Sequence, residues 1–214
     1  MKLLVISLTL ALPALLPAQA PADPAEQTAP AAVGGSVAPS PADTYTPLTS
    51  AQKAKRRALR LIEPVTLASS AMSAGLDQWR HVPHDWDEGA QGYAIRFASA
   101  EGYTAAHNGI ALIFDESFHL DPRYRRMPEG GTGARLWNAV SQTFLAYKDS
   151  GGRTFNISEV GGNIGAGFVA GTWQPRGYQS ANDSLERGAL GLLFHTGKNV
   201  VREFLPNILH PGKQ

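Results

Sequence analysis

Apolar residues recur every three or four positions in several long segments of the chain, which is the spacing of one face of an α-helix. The first stripe comprises Leu61, Val65, Ala68, Met72, Leu76 and Trp79, with a kink expected at Pro64. Further helices are predicted over about 89–114, 134–147, 157–174 and 183–206. Sustained alternation of apolar and polar residues does not occur, so strands are expected only as short pieces. The pattern predicts an all-α fold, a compact bundle of about five helices.

Helix starts and stops support this division of the chain. Three pairs of residues have the spacing of an N-cap and its N3 partner: Thr49 with Gln52, Asn156 with Glu159, and Asp183 with Glu186. Pro175 and Pro206 are predicted to end the fourth and fifth helices, because proline cannot donate the next helical hydrogen bond.

The two ends of the chain differ in composition from the predicted bundle. A basic Lys2, an apolar run over 3–16 and Ala18-Gln19-Ala20 predict a cleaved signal peptide at 1–20. Residues 21–47 are rich in proline and alanine and predict a disordered linker. The helical domain is placed at 48–206, followed by a C-terminal tail at 207–214. We therefore expect an exported protein, located in the periplasm, at the outer membrane or in the medium.

Charge excludes one class of partner. The chain has 19 Lys and Arg against 18 Asp and Glu, and removal of Lys2 with the signal peptide leaves equal numbers of each sign. A neutral chain does not favour nucleic-acid binding. Two basic clusters, "KAKRRALR" at 53–60 and "RYRR" at 123–126, are interpreted either as solvated charge or as contacts to anionic lipid headgroups of a membrane surface.

The glycine-rich segment "FNISEVGGNIGAGFVAGTWQP" at 155–175 contains a G-x-G-x-x-A pattern. A dinucleotide-binding loop requires a preceding buried strand, which "NISEV" does not resemble. The uncharged part is about 24 Å long as a helix, too short to cross a bilayer. Gly161 and Gly165, and likewise Gly167 and Gly171, lie one turn apart and predict a closely packed helix. Its partners are helices of the same chain or a second protomer, so self-association through these glycines is a hypothesis.

Two polar stretches contain candidate site residues. His81, His84 and Asp85 offer metal ligands within one loop, although an ordinary exposed polar loop is the favoured explanation. His119, Asp121 and Arg123 form the second candidate, a catalytic site. The alternative is a structural knot in which Arg123 pairs with Asp121 or with Asp149.

Other short motifs do not support a function. "TAAH" and "DSGG" resemble parts of a chymotrypsin-like triad, but His107 and Ser150 are too close in sequence for that architecture. Glu116-x-x-His119 occurs once, whereas a di-iron carboxylate bundle needs it twice. No cofactor is predicted.

The segments "DPRY", "DSGG", "FNISEVGGN" and "NVVREFLP" together resemble an uncharacterised family of exported proteins from environmental bacteria. The resemblance implies export and a shared helical fold, but no activity. The leading hypothesis is a non-enzymatic cell-envelope protein with a structural or interaction role, associated with a membrane surface. The competing hypothesis is a periplasmic hydrolase or metal-dependent enzyme that uses His119 and Asp121, or the His81, His84 and Asp85 cluster.

Overall fold

The computed structural model describes residues 46–209, with side chains as far as residue 205. The predicted signal peptide and all but two residues of the predicted linker lie outside the described residues. The elements, in chain order, are α1 (Ser50–Leu59), a 3-10 turn (Arg60–Ile62), α2 (Pro64–Trp79), α3 (Gly89–Ser117), β1 (Leu120–Asp121), α4 (Thr132–Phe144), β2 (Leu145–Lys148), β3 (Arg153–Phe155), α5 (Ile157–Gly171), a 3-10 turn (Arg176–Tyr178) and α6 (Ala181–Leu209). The described part of the chain is therefore a helical bundle, as predicted, with one small sheet.

Two of the helices, α1 and α5, begin directly after their predicted capping residues. Thr49 and Gln52 form the predicted capping box, and the Asn156 side chain accepts a hydrogen bond from the backbone N–H of Glu159. At α6 the capping pair lies three residues before the predicted one: Ser180 caps the helix, and Asp183, the predicted N-cap, is its N3 partner. α6 also continues beyond Pro206 to Leu209, so Pro206 does not end the helical domain.

The predicted third helix ends three residues early because its last segment joins a sheet. Leu145–Lys148 pairs antiparallel with Arg153–Phe155 on one side and with Leu120–Asp121 on the other, so β2 is the central strand. The Asp149 N–H also donates to the His119 carbonyl at 2.8 Å. The sheet thereby ties the segment after α3 to the "DSGG" turn.

α5 lies between α3 and α6, and its glycines permit the close approach. A Cβ added at Gly161 or Gly165 would stand 2.9 Å from Phe114 or 3.0 Å from Ile110, both in α3. One added at Gly167 would overlap the Ser184 carbonyl of α6. The predicted close packing therefore occurs within the chain. Self-association through Gly161, Gly165, Gly167 and Gly171 stays a prediction.

The interior of the bundle is polar, contrary to the usual arrangement of a soluble helical protein. Among the described side chains, the buried apolar ones are six alanines and Leu120, whereas two dozen polar or charged residues are buried. On α2 the buried positions are Thr66, Ser70 and Ala74. Four members of the predicted apolar stripe face outward: Ala68, Met72 and Leu76 are exposed, and Trp79 is 77% exposed.

The two basic clusters are largely engaged within the fold. Lys53 and Arg57 are 2% exposed; Lys53 pairs with the partly buried Asp149 and Arg57 with the buried Asp115, and Arg123 and Arg125 both pair with Asp121. These four side chains are therefore ion-paired within the fold, and contact of the basic clusters with lipid headgroups stays a prediction. Within the described residues, none of the helices has the length and apolar character required to traverse a bilayer.

Candidate functional site

Three potential metal ligands converge in the interior of the bundle. Oε2 of Glu159 lies 3.0 Å from Nε2 of His107 and 3.0 Å from Nδ1 of His195. The three ligand atoms lie within 4.8 Å of one another, and all three side chains are buried. Among the described residues, this is the one cluster of three histidine or carboxylate side chains with that spacing.

Each ligand comes from a different helix, and a glycine makes room for the first. His107 lies in α3, Glu159 in the first turn of α5, and His195 in α6. The Cδ2 atom of His107 stands only 3.0 Å from where a Cβ at Gly162 would be, so a side chain there would displace the imidazole. The unsatisfied N–H groups at the start of α5 also favour a negative charge at Glu159.

Arginines hold the other carboxylate oxygen of Glu159. Arg57 donates from Nη1 to Oε1 at 2.9 Å, and Arg60 donates to the same oxygen at 3.1 Å. Arg57 also donates from Nε to Asp115 at 2.7 Å, which fixes the guanidinium in the plane of both acceptors. Glu159 therefore presents one oxygen to the arginines and the other to the two histidines.

Burial keeps both histidines neutral. Desolvation lowers the pKa of His195 to about 4 and also lowers the pKa of His107, and it outweighs the opposing charge of Glu159. Burial acts to raise the pKa of Glu159, but interactions with His195, Arg57 and His107 hold that pKa well below its usual value. Of these three groups only Arg57 carries its charge at neutral pH. At neutral pH the centre is thus an ionised carboxylate facing two neutral imidazoles.

The donor set leaves two buried atoms without hydrogen bonds. His107 Nε2 and Glu159 Oε2 lie 3.0 Å apart, but neither atom meets the geometric criteria for a hydrogen bond within the described residues. An uncompensated carboxylate oxygen in a protein interior is costly. Two neutral imidazole nitrogens and one carboxylate oxygen are the ligands of many zinc and iron sites, and around a tetrahedral zinc such atoms stand about 3.4 Å apart. The three side chains therefore fit a divalent transition-metal ion.

A cavity of about 360 Å³ adjoins the centre between α2, α3, α5 and α6. His107 and His195 both line it, as do Asn163 and Lys198. The Tyr103 hydroxyl reaches into the same region and donates to Asn163 Oδ1 at 2.9 Å. A volume of this size is at the lower end of the range for small-molecule sites in proteins.

The predicted residues His119, Asp121 and Arg123 lie outside this centre. His119 is exposed, with a positive φ of 52°. Asp121 is buried and accepts hydrogen bonds from the Arg123 backbone at 3.0 Å and from its guanidinium at 2.9 Å. Of the two ion pairs predicted for Arg123, the structure contains the one with Asp121, and Asp149 pairs with Lys53 instead. These contacts support the structural interpretation of this stretch.

The loop residues His81, His84 and Asp85 are all exposed. His81 Nδ1 lies 2.7 Å from Glu88 Oε1, and the His84 backbone N–H donates to Tyr178. The loop is held from inside by Arg96, whose guanidinium donates to the carbonyls of Val82, Pro83, Trp86 and Asp87. His81, His84 and Asp85 are therefore an exposed set on an anchored loop and do not form a convergent set of ligands.

Sequence reasoning missed all three members of the buried centre. His107 and His195 fall within predicted helices and Glu159 has a predicted capping position, so none of the three is among the predicted metal ligands. The available signal was the combination of a histidine on each of two helices with an acid at the start of the glycine-rich one. Ser150, the other half of the protease resemblance, lies in the exposed turn between β2 and β3.

Comparison of the chain with family models, with curated proteins and with solved structures gives no match in any of the three. The resemblance to exported bacterial proteins accordingly stays a prediction.

Proposed function

We propose that the protein is a metal-dependent hydrolase that acts on a small molecule bound in the cavity. In this proposal His107, His195 and Glu159 hold a divalent transition-metal ion. The observation that carries it is the approach of Glu159 Oε2 to both imidazoles, at 3.0 Å, without a hydrogen bond to His107.

The type of chemistry follows from the number of ligands and their position. Catalytic zinc sites commonly have three protein ligands, often two histidines and a glutamate, and keep a further position open for water. A bound ion of this kind supplies a water molecule of lowered pKa at neutral pH. Here two of the three ligands line the cavity, so a ligand in the cavity can reach the ion. The Arg57 and Arg60 guanidiniums keep Glu159 ionised and in place.

Zinc binding by metal-free protein tests this proposal. Equilibrium dialysis with metal analysis is expected to give one zinc per chain in the wild type. His195→Gln and His107→Gln should lose it, whereas His119→Gln, an exposed matched control, should retain it.

Zinc-dependent hydrolysis of 4-nitrophenyl esters or phosphates is the activity readout. Absence of stoichiometric zinc, or equal binding by His195→Gln and the wild type, would overturn the proposal. Turnover that requires ferrous iron and oxygen would overturn the hydrolytic part.

A second function, the interaction role at the cell envelope, is favoured by a separate observation. Several large apolar side chains are more than 60% exposed on different helices, namely Ile62, Trp79, Ile113, Trp137 and Leu193. Contiguous exposed apolar patches mark contacts with a membrane or another chain, and in this proposal some of these side chains contribute to such a patch. Flotation with vesicles of phosphatidylethanolamine and phosphatidylglycerol is expected to carry the domain to the top of a density gradient. Recovery wholly at the bottom, as a monomer by light scattering, would contradict this role.

A further inference from the structure

A lysine of α6 lies in the cavity without a partner. Lys198 is one helical turn beyond His195, so both project from the same side of α6, and both line the cavity. Within the described residues it makes no hydrogen bond and no ion pair. It is half-buried, and burial lowers its pKa to about 8, which leaves it mostly charged at neutral pH.

The charges near Lys198 leave it uncompensated. Arg202 pairs with Glu63, and Arg57 and Arg60 share Glu159, with Asp115 as a second acceptor for Arg57. Together with Lys198, this set contains four cations, Lys198, Arg57, Arg60 and Arg202. It contains three carboxylates, Glu63, Asp115 and Glu159. A divalent ion at the buried centre increases this positive excess. A partly desolvated, unpaired ammonium in a ligand-sized cavity is a strong recognition element for an anion.

Elsewhere the cavity wall carries balanced charge, with three arginines and three carboxylates, together with hydroxyl and aromatic surface. Ser69, Ser70 and Ser73 from α2 present hydroxyls, and Trp86 and Phe194 supply aromatic surface. The remaining carboxylates of the wall are Asp77, Asp183 and Glu186, which act on the neighbouring Arg80 and Arg187. The wall therefore combines Lys198, one helical turn from His195, with balanced charge elsewhere and with hydroxyl and apolar surface.

We infer that the cavity binds a small organic anion, whose acidic group pairs with Lys198 and whose body lies against the hydroxyl and aromatic wall. This deepens the proposed function by assigning the chemical class of its substrate. Pairing with Lys198 places the acidic group one helical turn from His195, so that a bond adjacent to it lies beside the metal centre.

Two fluorescent probes with the same body test the inference. 8-Anilinonaphthalene-1-sulfonate is an anion, and N-phenyl-1-naphthylamine has the same rings without the sulfonate. For the full chain we expect Lys198→Met to weaken binding of the sulfonate about tenfold, because the ion pair is lost. The neutral probe should change less than about twofold. Lys55→Met, which removes an exposed lysine of α1, should bind both probes as the wild type does.

Further variants make each outcome decisive. Ser73→Trp, which fills the cavity, should lose both probes; an undiminished signal there would overturn the assignment to the cavity. Equal effects of Lys198→Met on the two probes, or no effect on the sulfonate, would overturn the role of Lys198. Lys198→Gln repeats the test if Lys198→Met does not fold. Zinc binding by the wild type is measured in parallel: if the wild type binds zinc but does not prefer the sulfonate over the neutral probe, only this inference fails. If wild type binds no zinc but keeps the preference, only the proposed function fails.

Discussion

Arg57 Nη1 lies 2.9 Å from Oε1 of Glu159, in an ion pair in which both side chains are almost completely buried. It joins α1 to the first turn of α5 and occupies one oxygen of the carboxylate. The other oxygen is left to face His107 and His195. The pair thus has two consequences, since it stabilises the polar interior and orients the ligand that completes the metal centre.

Removal of Arg57 should destabilise the fold strongly. Arg57→Met leaves Asp115 without its guanidinium partner and Glu159 with Arg60 alone, and breaking a buried ion pair of this kind costs about 3–5 kcal/mol. The free energy of unfolding, measured with urea, is expected to fall by that amount. Arg56→Met, at the adjacent exposed position, should change it by less than about 0.5 kcal/mol. Equal stability of the two variants would mean that the buried network does not stabilise the protein.

Replacement of glycine by alanine should have opposite effects on stability at Gly167 and at Gly197. A Cβ at Gly167 would overlap the Ser184 carbonyl, so Gly167→Ala should cost about 1–3 kcal/mol of unfolding free energy through overpacking. Gly197 in α6 has open space around it, so Gly197→Ala should stabilise the helix by up to ~1 kcal/mol. Thermal unfolding monitored by circular dichroism compares the two. A neutral Gly167→Ala would contradict the close contact between α5 and α6.

Substitution of Gly162 should weaken metal binding more than it destabilises the fold. Its missing side chain accommodates the His107 ring at 3.0 Å and Ala111 at 3.2 Å. Gly162→Ala is therefore expected to displace the imidazole and weaken zinc binding about tenfold, the size of effect seen when the support of a metal ligand is removed. Isothermal titration with zinc measures the change, and Gly197→Ala is the control. Wild-type zinc affinity in Gly162→Ala would show that His107 does not need its present position.

Lys198 should make stability depend on pH in the mildly alkaline range. Burial lowers its pKa in the fold to about 8, whereas an unfolded lysine titrates near ~10.4. Between these values the unfolded chain binds more protons, so the free energy of unfolding rises with pH. From pH 8 to pH 9.5 this contribution is about 1–2 kcal/mol. Urea titrations should show it in wild type and in Lys55→Met but not in Lys198→Met. An identical slope in all three would contradict the lowered pKa.

The sequence predicted the helices well because their signals are local. The capping residues Thr49 and Asn156 act within one turn, and glycines one turn apart indicate close packing whichever helix is the partner. Which face of each helix points into the interior was harder to predict. A period of three to four residues is the same whether the apolar stripe turns inward or outward, and here charged groups such as Arg57 and Glu203 occupy the interior.

The candidate site was not predictable from spacing for a related reason. His107, Glu159 and His195 belong to three helices and are far apart in the sequence, so only the packing of α5 between α3 and α6 brings them together. The residues that stood out in the sequence, such as His81 and Asp121, did so because they cluster locally. Local clustering of polar residues is typical of loops and of structural ion pairs, and both occur here.

The most direct measurement is an anomalous-difference map from crystals of the zinc-treated protein, recorded at the zinc absorption edge. The account predicts one peak in the bundle interior, bonded to His107 Nε2, His195 Nδ1 and Glu159 Oε2 and open toward the cavity. A peak at the loop of His81, His84 and Asp85 instead, or no ordered zinc at all, would contradict it.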